Sequence, residues 1–598
     1  MSPRLDPTDS YAEARALERA LGDPWSGEGP FSLRRAVERD EAEAYPDEVL
    51  AGLAGQGLAE CFVPDAYGGR LRTIEGLAAV IRAIARRDMS AAIAASQSFL
   101  GAAPVWFAGT EAQRLRLAEL VRSGARLSLA LTEEAHGSDL AATDVVAARD
   151  GEGWRLDGEK WLVGHGERAS AVTVLARTER SGGPRGFTLF LVDRASIAPA
   201  TYRPLAKIRT SGVRGAEVSG VRFEGCRLRG DAVIGDVGAG LEVALCSLLV
   251  SRAGCAHLSL GSAETGLRLG LEFALERRLY GRRLFDLPEP RRLLTTAFVD
   301  LLIGEALAVA AVRAAHVVPE QLPLLAAAAK AVVPPLVDRL LRDVAQVVGA
   351  RALLREHFQW GALQKVVRDA SVVAVFDGST GVNLAAIASQ LWSVCGGAGA
   401  GPRIDPQRPG RLAAIFDLDA PLPRFDPERI GLDCRGRDDV IAGLWTDCRE
   451  LERSDAPDPD GSVPRDLLAR AVRDDLAALR SEHLRIARTL QCLRAEGRDA
   501  LLRSSVAVEL ARRYGLLLAA AACVRLALTP PARAPDLLRG PAALSLCLDR
   551  VLCSFDADRA LRLPPALDWG GRALERLHAC GRRLSRLPLE DDGVSVGD

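Results

Sequence analysis

Three short stretches of the chain concentrate residue types that can do chemistry. Ala130-Leu-Thr-Glu-Glu-Ala-His-Gly-Ser-Asp139 packs hydroxyls, a glycine and backbone amides into one loop. Such a loop can hydrogen-bond a polar ring edge and a phosphate, or it can simply start a helix with Ser138 or Asp139 as N-cap. Asp157-Gly-Glu-Lys-Trp-Leu-Val-Gly-His-Gly166 is a second glycine-punctuated loop, and Ala274-Leu-Glu-Arg-Arg-Leu-Tyr-Gly281 ends a helical run in arginines. Further on, Arg368-Asp-Ala-Ser-Val-Val-Ala-Val-Phe-Asp-Gly-Ser379 contains an Asp377-Gly378 pair that can turn the chain and cap a helix beginning near Thr380. No metal site is expected, because His136 and His165 have 28 residues between them and no Cys or carboxylate at ligand spacing. Gly235-Asp-Val-Gly-Ala-Gly240 lacks the preceding βαβ pattern of a dinucleotide fingerprint and reads as a turn that starts a helix.

The elements around these loops change texture along the chain. Residues 1–126 carry helical periodicity, as in Ile74 to Arg87 and Thr110 to Arg122, broken by a turn at Pro64 to Gly69. Residues 127–236 switch to short alternating segments such as Ala171 to Ala176 and Phe187 to Val192, which predict a small β domain. Long helical runs return over 237–397, at Gly240 to Arg277, Arg291 to Val317, Pro323 to Val348 and Val382 to Val394, and read as a bundle. Residues 398–427 are rich in Gly and Pro and are expected to be a linker, after which 428–598 form a separate helical domain interrupted at Asp455 to Pro464 and Pro530 to Pro541. The class is mainly α with a small β domain, and its order excludes the strand-helix alternation of a Rossmann or barrel enzyme.

Composition narrows the partners. The 598 residues, at about 100–200 per domain, give roughly three to five domains. A hydrophobic content of 48% suffices for buried cores. Lys plus Arg is 77 against 78 for Asp plus Glu, so the net charge of −1 gives no global field for nucleic acid or anionic lipid. Only Lys160, Lys207, Lys330 and Lys365 are lysines, a bias read as coding composition without functional weight. Twelve cysteines with no close C-x-x-C pair suit a reduced, cytoplasmic protein. No targeting segment or membrane anchor is expected, since Met1 to Arg15 has no apolar stretch and Leu516 to Val524 is far shorter than about 18 residues.

Taken in order, these loops, the Pro64 to Gly69 turn and the Gly235 to Gly240 helix start resemble the acyl-CoA dehydrogenase superfamily over about residues 30 to 400. The resemblance implies a helical domain, a β domain and a four-helix bundle, with FAD held between the β domain and the bundle. By position it implies that Thr132 contacts the isoalloxazine, Ser138 contacts a flavin phosphate, and Trp161 and its neighbours flank the ring. Arg277 matches the arginine that reaches the FAD pyrophosphate of a neighbouring subunit, a charge-assisted contact suited to a guanidinium. Gln346 and Gly349 match the flavin-contacting loop, and Ser379 joins the cofactor set. In the family a carboxylate removes a proton α to a thioester carbonyl while the β-hydride moves to flavin N5, and the enolate oxygen is stabilised by a ribityl hydroxyl and the amide of the base. Here the base position falls on Asp377, with Arg252 matching an active-site arginine of some members.

The chain also departs from the family. Most of its dehydrogenases have Glu as base, and Asp is one methylene shorter, although a nitroalkane-oxidising branch uses Asp. Gly164 stands where Thr often bonds flavin N5, and Ala350 and Ala352 replace small or Gly positions near Gln346. The expected activity is α,β-desaturation of an acyl thioester carried on coenzyme A or an acyl carrier protein, with an electron-transfer flavoprotein as acceptor. The alternatives are a flavin oxidase or monooxygenase on the same fold and a non-catalytic scaffold. The C-terminal domain is similar in length to the extra helical domain of very-long-chain acyl-CoA dehydrogenases and acyl-CoA oxidases, which implies a homodimer.

Overall fold

Hydroxyl and carboxylate caps ahead of apolar runs set the N-terminal helices. After α1 (Ala12–Leu21), Ser32 caps α2 (Leu33–Glu41) by accepting the Arg35 amide, and α3 (Asp47–Gly55) follows. Thr73 caps α4 (Ile74–Ala85), Asp88 caps α5 (Met89–Ala108), and Thr110 with Gln113 forms a capping box on α6 (Glu111–Arg122). The computed structural model of the protein describes residues 8–395, 407–449, 463–495, 503–556 and 564–590, with Asp6, Leu451, Gly497 and Arg559 besides.

The β domain is one sheet built from β1 (Leu127–Ala130), β2 (Val146–Asp150), β3 (Gly153–Gly164), β4 (Ala171–Arg177), β5 (Phe187–Asp193), β6 (Tyr202–Pro204), β7 (Val218–Leu228) and β8 (Val233–Ile234). The spatial order is β6-β7-β3-β2-β4-β5-β8, with β1 pairing parallel to β4. β4 is buried at six of its seven positions because one face packs its own sheet core and the other meets the helices.

The bundle consists of α7 (Gly240–Glu276), α8 (Pro288–Val317), α9 (Leu322–Val348), α10 (Ala362–Val372) and α11 (Thr380–Val394). Between α7 and α8 lies a short hairpin of β9 (Arg278–Leu279) and β10 (Arg282–Arg283). By length and composition α5, α7 and α8 could each cross a membrane, but their most apolar windows are 72%, 83% and 100% buried inside the fold. Those helices are apolar because they are packed on several sides.

The stretch expected as a linker carries a helix, α12 (Arg408–Phe416), whose Leu412, Ile415 and Phe416 are buried. Its Pro409 and Gly410 read as loop residues, yet proline is tolerated in a first helical turn. Residues 398–406 lie outside the described residues. After the short α13 (Leu444–Asp447) come α14 (Arg465–Arg494), α15 (Ser505–Leu528), α16 (Pro541–Phe555) and α17 (Pro564–Ala579), and α15 packs on α8, α9 and α11. The expected break at Asp455 to Pro464 falls largely outside the described residues.

Charges stitch the C-terminal region to the bundle. Asp300 of α8 is fully buried and accepts from Arg339 at 2.8 Å and from Arg550 at 2.9 Å. Glu305, one turn on, accepts Arg82 Nη2 of α4 at 2.6 Å, the Ser585 hydroxyl at 2.5 Å and the Arg586 amide at 3.0 Å.

Candidate functional site

α7 runs from the sheet through the bundle and presents Ser251 and Cys255, four residues apart, on one face. The loop between α10 and α11 brings Asp377 to that face. The Ser251 hydroxyl donates to Asp377 Oδ2 at 2.6 Å and the Cys255 thiol at 3.5 Å. Arg252 Nε donates to the Asp377 carbonyl at 3.2 Å and lies 3.9 Å from Oδ1. The carboxylate side chain is 4% exposed, yet Oδ1 has no hydrogen bond. Burial pushes the carboxyl pKa above its ordinary value, against the pull of Arg252, Lys330 and the two donors.

The backbone here is held in an unusual form. Asp377 has φ +49° and Gly378 φ +79°. A Cβ on Gly378 would sit 3.1 Å from Arg252 Nε and 3.2 Å from Asn383 Nδ2, so glycine admits both donors. The helix cap is Ser379, whose hydroxyl accepts the Val382 amide at 3.3 Å and keeps its own proton to donate. Asp377 is therefore not the cap; its carboxylate turns into the bundle.

The first chemistry-bearing loop follows β1, the strand that packs on α5. Trp161 N donates to the Thr132 carbonyl at 2.8 Å, tying the two glycine-punctuated loops together. Neither Ser138 nor Asp139 makes a side-chain cap, and the turn after them, Leu140–Ala142, is a single 3₁₀ turn. A buried strut sets the loop's shape: Lys160 Nζ donates to the Leu131 carbonyl at 2.8 Å and Glu133 Oε1 at 2.7 Å, while Glu133 Oε2 accepts the Asp144 amide at 2.7 Å. Burial pulls the Lys160 pKa down to about 8 against the attraction of Glu133. A bulge between Trp161 and Val163 leaves Leu162 at φ +54° and 45% exposed beside this loop. A Cβ on Gly164 would fall 2.4 Å from the carboxamide carbon of Gln97 on α5, so that side chain fills the room a larger residue would need.

The donor set fits FAD. Among the described residues the Thr132 and Ser138 hydroxyls carry no intramolecular hydrogen bond, Ser138 is exposed, and an added Cβ on Gly137 meets nothing within 4 Å. Arg277, Gln346 and Gly349 stand apart from this loop, exposed at the C-terminal ends of α7 and α9, and the Arg277 guanidinium has no partner among the described residues. Tyr280 in the hairpin beside Arg277 is 91% exposed and Leu353 after α9 is 81% exposed.

Contrary to the spacing argument, folding brings Glu133, His136 and Asp144 ligand atoms within 4.8 Å of one another. The Glu133 oxygens are already engaged by Lys160 and backbone amides, and His136 Nε2 lies 2.9 Å from Asp144 Oδ2, so the cluster is a loop brace. His165 is buried, bonds the Tyr45 hydroxyl at 2.8 Å and has its pKa lowered to about 4 by burial.

Sequence reasoning missed Ser251, Cys255, Lys330, Glu133 and Gln97. Ser251 and Cys255 were detectable as the polar pair at i, i+4 on an apolar helix, and Lys330 as the one lysine in an alanine-rich run.

Known proteins place the chain. Family models of acyl-CoA dehydrogenase match its N-terminal domain at residues 32–125, its middle domain at 128–226 and its C-terminal domain at 238–392. The probable acyl-CoA dehydrogenase fadE25 of Mycobacterium leprae is 25% identical over 376 residues, spanning 62% of this chain and 92% of the relative. Cyclohex-1-ene-1-carbonyl-CoA dehydrogenase of Geobacter metallireducens is 25% identical, over 58% of this chain and 90% of that one. In three dimensions butyryl-CoA dehydrogenase from Megasphaera elsdenii superposes with a TM-score of 0.58 at 23% identity, covering 64% of this chain and 98% of its own. With all three domains matched in order and a fold that agrees, the chain belongs to the acyl-CoA dehydrogenase family of FAD-dependent oxidoreductases.

Proposed function

We propose that this enzyme desaturates an acyl thioester between Cα and Cβ, on coenzyme A or an acyl carrier protein, with Asp377 as the base. The observation that carries the reading is Oδ1, a buried carboxylate oxygen without a hydrogen bond. Ser251 and Cys255 hold Oδ2, so Oδ1 is the oxygen left to take the α-proton. Arg252 fixes the carbonyl of the same residue. FAD, when bound, supplies the hydride acceptor.

The anaerobic visible spectrum of the purified protein, before and after adding butyryl-, octanoyl- or palmitoyl-CoA or the matching acyl carrier protein thioesters, tests this. Bleaching of the flavin band supports desaturation; a flavin that no thioester bleaches argues against it, and protein without flavin favours a scaffold. Reoxidation in air with peroxide release identifies an oxidase, and slow reoxidation an enzyme that hands electrons to an electron-transfer flavoprotein.

Thr132 and Ser138 bind the flavin in this reading, on a loop held by the Lys160–Glu133 strut. Lys160→Met leaves Glu133 buried without its cation, so FAD retention should fall by about tenfold or more. Flavin fluorescence released on dilution measures it, and unchanged retention removes the strut from cofactor binding.

Arg277 and Tyr280 lie exposed at one end of the bundle, without side-chain partners among the described residues, which supports a homodimer in which each subunit's Arg277 completes the other's flavin site. Sedimentation at twice 63.7 kDa is expected. The twelve cysteines are free, which supports a reducing, cytoplasmic setting.

A further inference from the structure

Lys330 sits a third of the way along α9 in the run Ala326 to Val333, fully buried, with no carboxylate within ion-pair distance among the described residues. A solitary ammonium in an apolar helix is expensive unless its protons are taken up. Its Nζ donates to the Val373 carbonyl and, at 2.7 Å, to the Phe376 carbonyl, and lies 5.0 Å from the centre of the Phe376 ring. Val373 is the C-cap of α10, and Phe376 directly precedes Asp377. Carbonyls at a helix end lack intrahelical partners and gather negative potential, which a cation offsets.

We infer that Lys330 is a positioning residue for the base: its buried ammonium ties off the Val373 carbonyl at the end of α10 and the Phe376 carbonyl in the loop after it, and so fixes the left-handed turn at Asp377. This rests on the reading of Asp377 as base. The other groups facing Asp377 are Ser251, Arg252 and Cys255 from α7, while α11 contributes only the uncharged Asn383, through Gly378. Arg252 reaches the Asp377 carbonyl and Lys330 the carbonyls before it, so two cations from different helices clamp consecutive stretches of one loop.

The same ammonium pulls the Asp377 carboxyl pKa down against the effect of burial. Removing a nearby cation raises the carboxyl pKa, so the acid limb of the rate profile moves to higher pH.

The test uses the full-length, FAD-loaded protein carrying Lys330→Met, which keeps length but loses charge and donors, or Lys330→Gln, which keeps a donor alone. Amide hydrogen exchange over residues 373–380 reads the turn without substrate, and the pH dependence of flavin reduction, by whichever acyl-CoA above bleaches it fastest, reads the base. Lys330→Met should speed exchange by about tenfold. It should also move the acid limb up by about one pH unit. Lys330→Gln should shift the limb similarly while exchanging more slowly than Lys330→Met. If Lys330→Met fails to fold, the limb in Lys330→Gln decides the electrostatic part. Unchanged exchange in Lys330→Met overturns the inference, and an unmoved limb overturns its electrostatic part. Asp377→Asn serves as control: reduction at the wild-type rate there defeats the base reading itself, and the exchange result still judges the lysine.

Discussion

Asp377→Asn retains bound flavin but loses substrate-driven reduction by about 10³- to 10⁴-fold, the range spanned by removal of a positioned general base. Asparagine has the same shape and can still accept from Ser251, so the turn and the cofactor site survive while the proton acceptor disappears. Stopped-flow reduction at saturating thioester measures the fall, and reduction within threefold of wild type would move the base elsewhere. Asp377→Glu is the informative companion. The extra methylene displaces the carboxylate by about 1 Å, and a misplacement of that size costs roughly 100-fold. With Asp377 as the base, acting only when ionised, its raised pKa should make reduction by the native enzyme decline as pH falls through that raised value. The decline should begin at a higher pH than for an exposed aspartate and be absent in Asp377→Asn.

Glu305→Ala should destabilise the fold by about 2–4 kcal/mol, because it removes one of the two carboxylates that hold a buried cation and leaves buried donors unmet. Arg82 is fully buried; without Glu305 its remaining carboxylate is Glu264, at 3.2 Å. The same substitution leaves the Ser585 hydroxyl and Arg586 amide without their acceptor. Differential scanning calorimetry should show a lowered melting temperature, and limited proteolysis should cut earlier near residues 580–590. Glu305→Gln, which keeps an acceptor but not the charge, should lose less. A melting temperature unaltered in Glu305→Ala would show that Glu264 alone satisfies Arg82.

How much was legible follows from the range over which each signal acts. The helical, β, bundle and C-terminal textures are local, and so are the loops around Thr132, Trp161 and Asp377, whose glycines and hydroxyls lie within about ten positions of each other. The partners of Asp377 are not local: Ser251 is 126 positions away and Cys255 122, each on a helix whose composition reports burial and nothing more. The lysines show the same limit. Read as coding bias, three of the four prove buried, Lys160 and Lys330 at 0% and Lys365 at 4% exposure. Each meets at least one carbonyl or carboxylate that only the folded chain brings near: Lys365, for instance, holds Asp88 of the helical domain at 2.9 Å beside its i, i+4 neighbour Asp369 at 2.5 Å. The helix within 398–427 escaped because Pro409 and Gly410 mark a loop locally, whereas the packing of Ile415 and Phe416 is tertiary.

The bond from Ser585 to Glu305 also imposes an order on biosynthesis. Its acceptor is translated 280 residues before its donor, which at about 5–20 residues per second is a wait of roughly 14–56 s. During that interval the nascent bundle carries a carboxylate in its interior with part of its hydrogen bonding unmet, and the apolar faces of α8, α9 and α11 await α15. The faces of α8, α9 and α11 that α15 covers therefore stay open until the C-terminal helices have been made.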